Sequence, residues 1–104
     1  MTARRAAKVD ASQASIVKAL RRGGASVCSL AAVGTGCPDL LVGVPTATGG
    51  ETHLVEVKDG AKPPSRRGLT RFQVLFHAEW RGAPIAVIAS PTAARAWLAE
   101  RRDA

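Results

Sequence analysis

Two apolar, strand-forming runs separated by a short Pro, Thr and Gly segment constrain this chain more than any other feature. Pro38-Asp39-Leu40-Leu41-Val42-Gly43 is the first run and Glu51-Thr52-His53-Leu54-Val55-Glu56-Val57-Lys58 the second. Pro45 to Gly50 is rich in turn formers and poor in strand formers, so the two runs read as one β-hairpin. A symmetric loop sets Gly43 opposite Thr52, and counting back along both strands sets Asp39 opposite Glu56. Opposed residues share a face, and the period of two adds Lys58 to it. Leu40, Val42, Val55 and Val57 then point to the other side. Opposed Cβ atoms lie about 4.5–5.5 Å apart, and metal–oxygen bonds are about 2.0–2.6 Å long. Asp39 and Glu56 can therefore share one divalent cation. A slip of one residue would separate them onto opposite faces.

At 104 residues with 46% hydrophobic content, the chain suits a single globular domain. Residues 1–9 read as a flexible basic arm carrying Arg4, Arg5 and Lys8, and residues 10–104 as the domain. Fifteen basic residues against eight acidic ones give a net charge of +7. A small basic protein is expected to meet a polyanion, most often nucleic acid. No apolar run approaches the roughly 20 residues of a membrane span, and the N-terminus lacks a signal-peptide core. These features predict a cytoplasmic, intracellular protein with no membrane partner. Cys28 and Cys37 have neither Cys-x-x-Cys nor zinc spacing, so both read as reduced thiols, with Cys28 packed in a strand.

A helix is expected from Asp10 to the Gly23-Gly24 stop, with Asp10 as N-cap, Gln13 as its capping-box partner, and Ile16, Val17 and Leu20 buried. Gln13 falls on the same stripe, which also aims it at the sheet. Ala25 to Leu30 suits a strand leading into the hairpin. Beyond Lys58, the segment Asp59 to Gly68 contains Pro63, Pro64 and two glycines, and cannot be regular structure. Its Lys62, Arg66 and Arg67, with Arg71 beyond, suit contacts to phosphates. Leu69 to Trp80 reads as a second helix with Thr70 as N-cap and Leu69, Phe72, Phe76 and Trp80 as a buried stripe. Gln73 is either the capping-box partner or a site residue, and His77, four residues on, reads as a surface histidine. Ile85 to Ala89 is a short buried strand, parallel to its neighbour after a crossover. Ser90-Pro91 then starts a last helix that buries Trp97 and Leu98.

Pro38-Asp39 followed by Glu56-Val57-Lys58 on the next strand resembles the Pro-Asp…(Asp/Glu)-x-Lys pattern of the PD-(D/E)XK nuclease superfamily. The similarity runs from the Asp10 helix to the Ala89 strand and is most specific at Gly36 to Gly60 and the Gln73 helix. Within the superfamily the chain looks most like small stand-alone members of the VRR-NUC group, phage-type nucleases related to Holliday-junction resolvases. The resemblance implies an α/β, three-layer restriction-endonuclease-like fold of αβββαβ(α) order with a mixed central sheet. It also implies that Asp39, Glu56 and the Val57 backbone carbonyl bind Mg²⁺ or Mn²⁺, that Lys58 assists catalysis, and that Gln73 helps form the site. Many members carry a Glu on the first helix, where this chain offers Gln13 and Asp10.

The implied function is metal-dependent endonucleolytic hydrolysis of DNA by a homodimer, on branched DNA such as a junction or flap. Hard carboxylate oxygens suit Mg²⁺ and Mn²⁺, and lysine supplies a mobile point charge for a phosphate oxygen. The competing readings are a non-catalytic nucleic-acid-binding module and a subunit of a larger repair or phage complex. The intact Asp39, Glu56 and Lys58 set favours catalysis, since a pure binder would not need it. The repulsion of two opposed strand carboxylates without a cation or proton between them argues against a merely structural ion cluster.

Overall fold

The hairpin forms in the expected register, with Gly43 opposite Thr52 and Leu40 opposite Val55. The chain is described here by a computed structural model covering residues 12–63 and 68–103. The N-terminal arm, Asp10, Arg66 and Arg67 lie outside the described residues. Both hairpin strands, β2 (Leu40–Thr46) and β3 (Gly49–Val57), run further toward the turn than their composition suggests. Pro45 pairs with Gly50 and Thr46 with Gly49, so the turn shrinks to Ala47 and Thr48. Proline is tolerated there for a definable reason. The Leu30 N–H donates to the Asp39 carbonyl at 2.7 Å, so the backbone groups of odd-numbered β2 residues face the preceding strand. That strand, β1 (Ser26–Ser29), stops pairing at Gly43, and the missing N–H of Pro45 points where no partner stands.

The sheet has four strands in the order β1-β2-β3-β4. Neighbours are antiparallel except β4 (Ala86–Ile88), which runs parallel to β3 as a crossover connection requires. Three helices complete an α/β domain in the expected order: α1 (Gln13–Arg22), α2 (Arg71–Glu79) and α3 (Pro91–Asp103). Leu40, Val42, Val44, Val55 and Val57 turn to one face and pack against Ile16, Leu20, Ala94 and Leu98 of α1 and α3. Burial of such side chains stabilises by about 1.5–3 kcal/mol each, so this layer carries the fold. His53 lies on the same face, buried, with its ring edge-on to Trp97 at 5.3 Å and Nε2 on Glu51 at 2.9 Å. Trp97 itself is only partly buried.

Helix boundaries follow side-chain chemistry, with corrections. The last helix is capped as expected, Ser90 Oγ accepting from the Ala93 N–H at 3.0 Å. At α1 the N-cap is Ser12 rather than Asp10, and its side chain makes no capping bond. The Ser12 hydroxyl instead donates to the Lys58 carbonyl at 3.2 Å, tying the helix start to the end of β3. Gln13 is thus the first helical residue, too early to be the third residue of a capping box. Cys28 lies in β1 but is exposed, because β1 is the edge strand.

The other face of the sheet is covered differently from the expectation. No residue of α2 is buried, and Phe72, Val74, Leu75 and Trp80 are all exposed, Phe72 by 65%. The cap fixes the helix rotation: Thr70 Oγ1 accepts from the Gln73 N–H at 3.2 Å, and Gln73 Oε1 accepts from the Thr70 N–H at 2.8 Å. With Gln73 turned to the sheet, Phe72 sits about 100° round the helix and faces outward. Val87 of β4 is also half exposed.

Gly36 is what lets α2 come close. A Cβ there would lie 2.4 Å from the Phe72 carbonyl oxygen, and its φ is +82°. Gly36→Ala should therefore both strain the backbone and push α2 outward, with an expected loss of about 1–3 kcal/mol. A melting temperature within about 2 °C of the parent protein would contradict this, since about 1 kcal/mol shifts a domain of this size by roughly 4–8 °C.

Candidate active site

The site forms where β2 begins and β3 ends. In the register above, position 57 of β3 faces position 38, and Pro38 has no N–H to give to the Val57 carbonyl. The proline therefore ends the ladder and leaves that oxygen without its strand donor. On the other side of the same peptide pair, the Val57 N–H donates to Asp39 Oδ2 at 2.7 Å. This bond fixes the Asp39 carboxylate beside the β3 backbone. One residue back, Glu56 is fully buried on the face opposite the core.

Gln73 ties Glu56 to Lys58. Its Nε2 donates to Glu56 Oε2 at 3.0 Å, and its Oε1 accepts from Lys58 Nζ at 3.0 Å. The same Oε1 completes the capping box, so Gln73 serves cap and site at once. The two roles framed as alternatives coincide because an amide oxygen has two lone pairs. A buried carboxylate is tolerable only when hydrogen-bonded or paired, and α2 supplies that here. His77 Nε2 lies 3.4 Å from Glu56 Oε1 and adds a second contact from the next turn.

Two shifts in proton affinity follow from the same convergence. Burial and the Lys58 ammonium hold the His77 imidazole below its ordinary range, so it is neutral near pH 7. Burial, then the Glu56 and Asp39 carboxylates, push the Cys37 thiol up. Burial and these two carboxylates thus disfavour the Cys37 thiolate. Sequence reasoning assigned neither residue to the site. The shared face of Gln73 and His77 was the available signal, and it needed only the orientation of α2 to become decisive.

Among the residues expected to contact DNA, Lys62 is exposed beyond β3 and Arg71 is exposed at the start of α2. Gln13 is buried on the first turn of α1, and its Oε1 has no hydrogen-bond partner among the described residues. No group of three or more His, Cys, Asp and Glu side chains gathers as a metal site among the described residues. Gln13 lies apart from the end of β3, beside Val17, Val27 and Leu40 on the core side of the sheet. The donors at the end of β3 are oxygens: the Asp39 and Glu56 carboxylates and the Val57 carbonyl, which has no strand donor at Pro38. Such a set fits a hard divalent cation that keeps several waters, and does not fit a zinc site built from Cys and His.

No family model matches the chain, and neither a curated protein nor a solved structure matches it. Among the described residues no helix is long and apolar enough to cross a membrane.

Proposed function

We propose that this chain is a metal-dependent DNA endonuclease of the PD-(D/E)XK type, similar to the VRR-NUC group, with a restriction-endonuclease-like arrangement of its layers. The observation that carries the reading is the placement of Asp39, Glu56 and Lys58 at one end of β3, with Asp39 held by the Val57 N–H and Glu56 joined to Lys58 through Gln73. Asp39, Glu56 and the Val57 carbonyl would hold Mg²⁺ or Mn²⁺. The ion would supply an activated water and charge compensation for the phosphate. Gln73 positions the Lys58 ammonium, which neutralises a nonbridging phosphate oxygen as negative charge develops on it. Neutral His77 holds Glu56 in place without adding a competing charge. Incubation with labelled linear, flap and four-way DNA in Mg²⁺, Mn²⁺ or chelator tests this directly. Cutting only with metal is the expected result, and metal binding without cutting of any substrate would favour the non-catalytic module.

The active form is proposed to be a homodimer on branched DNA. Exposed Phe72, Val74, Leu75 and Trp80 give α2 an apolar surface of the kind that subunit contacts cover. A two-fold pair would present two sites to two strands.

DNA affinity on the site face should come from Lys58, Lys62, Arg66, Arg67 and Arg71. If these five neutralise phosphates, log K against log[salt] falls with a slope near about −4.5. Replacing Lys62, Arg66 and Arg67 by Gln should flatten it by about 2.7. An unchanged slope would place the DNA elsewhere.

A further inference from the structure

A second basic surface lies on the opposite side of the molecule from Glu56. Helices α1 and α3 pack on the core face of the sheet and run side by side in the same direction. The α1 start meets the end of β3 through Ser12 on the Lys58 carbonyl, and the α3 start follows Ile88 and Ala89, whose carbonyls accept from the Lys58 and Gly60 N–H groups. The two helix ends meet where Arg102 Nη1 donates to the Gly23 carbonyl at 2.7 Å. Between them, on the solvent side, runs a groove of about 540 Å³. Its floor includes Ala19, Leu98 and Ala99, and its walls carry Lys18, Arg22, Arg95 and Arg102 with no acidic residue. Lys18 and Arg22 have no acidic partner among the described residues.

We infer that this groove binds the phosphate backbone of a second DNA arm, so that one protomer holds branched DNA on two faces. The charge is spread rather than focused. Lys18 and Arg22 are about 6 Å apart along their helix, and Arg95 and Arg102 about 10.5 Å apart along theirs. A single small anion needs donors that converge on one point, whereas a row of cations matches a polymer with one charge per about 1.7 Å of duplex. The small floor residues let a backbone settle between the helices while the arginine and lysine stems line the walls. Ser15 and Pro91, at the starts of α1 and α3, line the end of the groove nearest Lys58, so an arm leaving the site can turn into it. The inference rests on the nuclease reading only in taking DNA as the polyanion.

The test uses the full chain in chelator, with an immobile four-way junction and, separately, vesicles of neutral lipid with one quarter phosphatidylglycerol. Lys18→Gln, Arg22→Gln and Arg95→Gln are combined, leaving Arg102 in its cap. The salt slope for the junction should flatten by about 2.7, and the charge-keeping combination Lys18→Arg, Arg22→Lys, Arg95→Lys should retain the parent slope. An unchanged junction slope in the Gln variant overturns the inference, as does a loss confined to vesicle binding. Circular dichroism confirms that both variants fold. A flattened slope in a protein that cuts no DNA in Mg²⁺ or Mn²⁺ would sustain the groove and defeat the nuclease reading. Metal-dependent cutting with an unchanged slope would do the reverse.

Discussion

Asp39→Asn, Glu56→Gln and Lys58→Ala should each lower metal-dependent DNA cleavage by at least about 100-fold, the scale on which removing one preorganised charge-stabilising group acts. The three changes differ in what they leave standing. Asn at position 39 keeps an oxygen that accepts the Val57 N–H, so β3 keeps its end. Gln at position 56 removes a charge from a fully buried side chain, so folding should be unharmed or slightly favoured in the absence of metal. Lys58→Ala frees Gln73 Oε1 from one donor while leaving its bond to the Thr70 N–H. Single-turnover rates with excess enzyme, alongside thermal melts, separate these effects. Wild-type rates in any one variant would remove that residue from the catalytic set.

A different pattern is expected at Gln73. Gln73→Ala loses half of the capping box and also strips a hydrogen bond from buried Glu56 and from Lys58. Cap losses amount to about 0.5–2 kcal/mol, and each buried polar group left unsatisfied adds about 1–3 kcal/mol. Stability and cleavage should therefore fall together. Gln73→Glu keeps the cap and gains from the positive helix start, but places a third carboxylate beside Glu56. Without metal this variant should be less stable near neutral pH than the parent, and Mn²⁺ should restore more stability to it than to the wild type. Stability unchanged in both variants would mean that the glutamine does not hold the site together.

What the sequence disclosed depended on whether one element settled the geometry alone. The hairpin register was legible because Pro45 to Gly50 is symmetric about Ala47 and Thr48, so lengthening both strands by equal amounts left Asp39 opposite Glu56. The caps at Thr70 and Ser90 were legible because capping is local chemistry. The packing of α2 was not. Its Phe72, Phe76 and Trp80 spacing reads as a core stripe, yet the cap and the Glu56 contact rotate the helix so that Gln73 and His77 face the sheet. A polar contact 17 residues distant in sequence decided the matter, and periodicity carries no information about it. The same blindness hid His77, whose role exists only because Glu56 is buried beneath it.

Because no side chain of α2 is buried, the helix can leave the sheet without disturbing the layer formed by Ile16, Leu20, Leu40 and Leu98. Regions with few buried apolar contacts open at a fraction of the global free energy. The site therefore opens more readily than the core melts: α2 amides should exchange faster than those of α1 and α3, and a variant that loosens α2 should lose activity at temperatures below its melt.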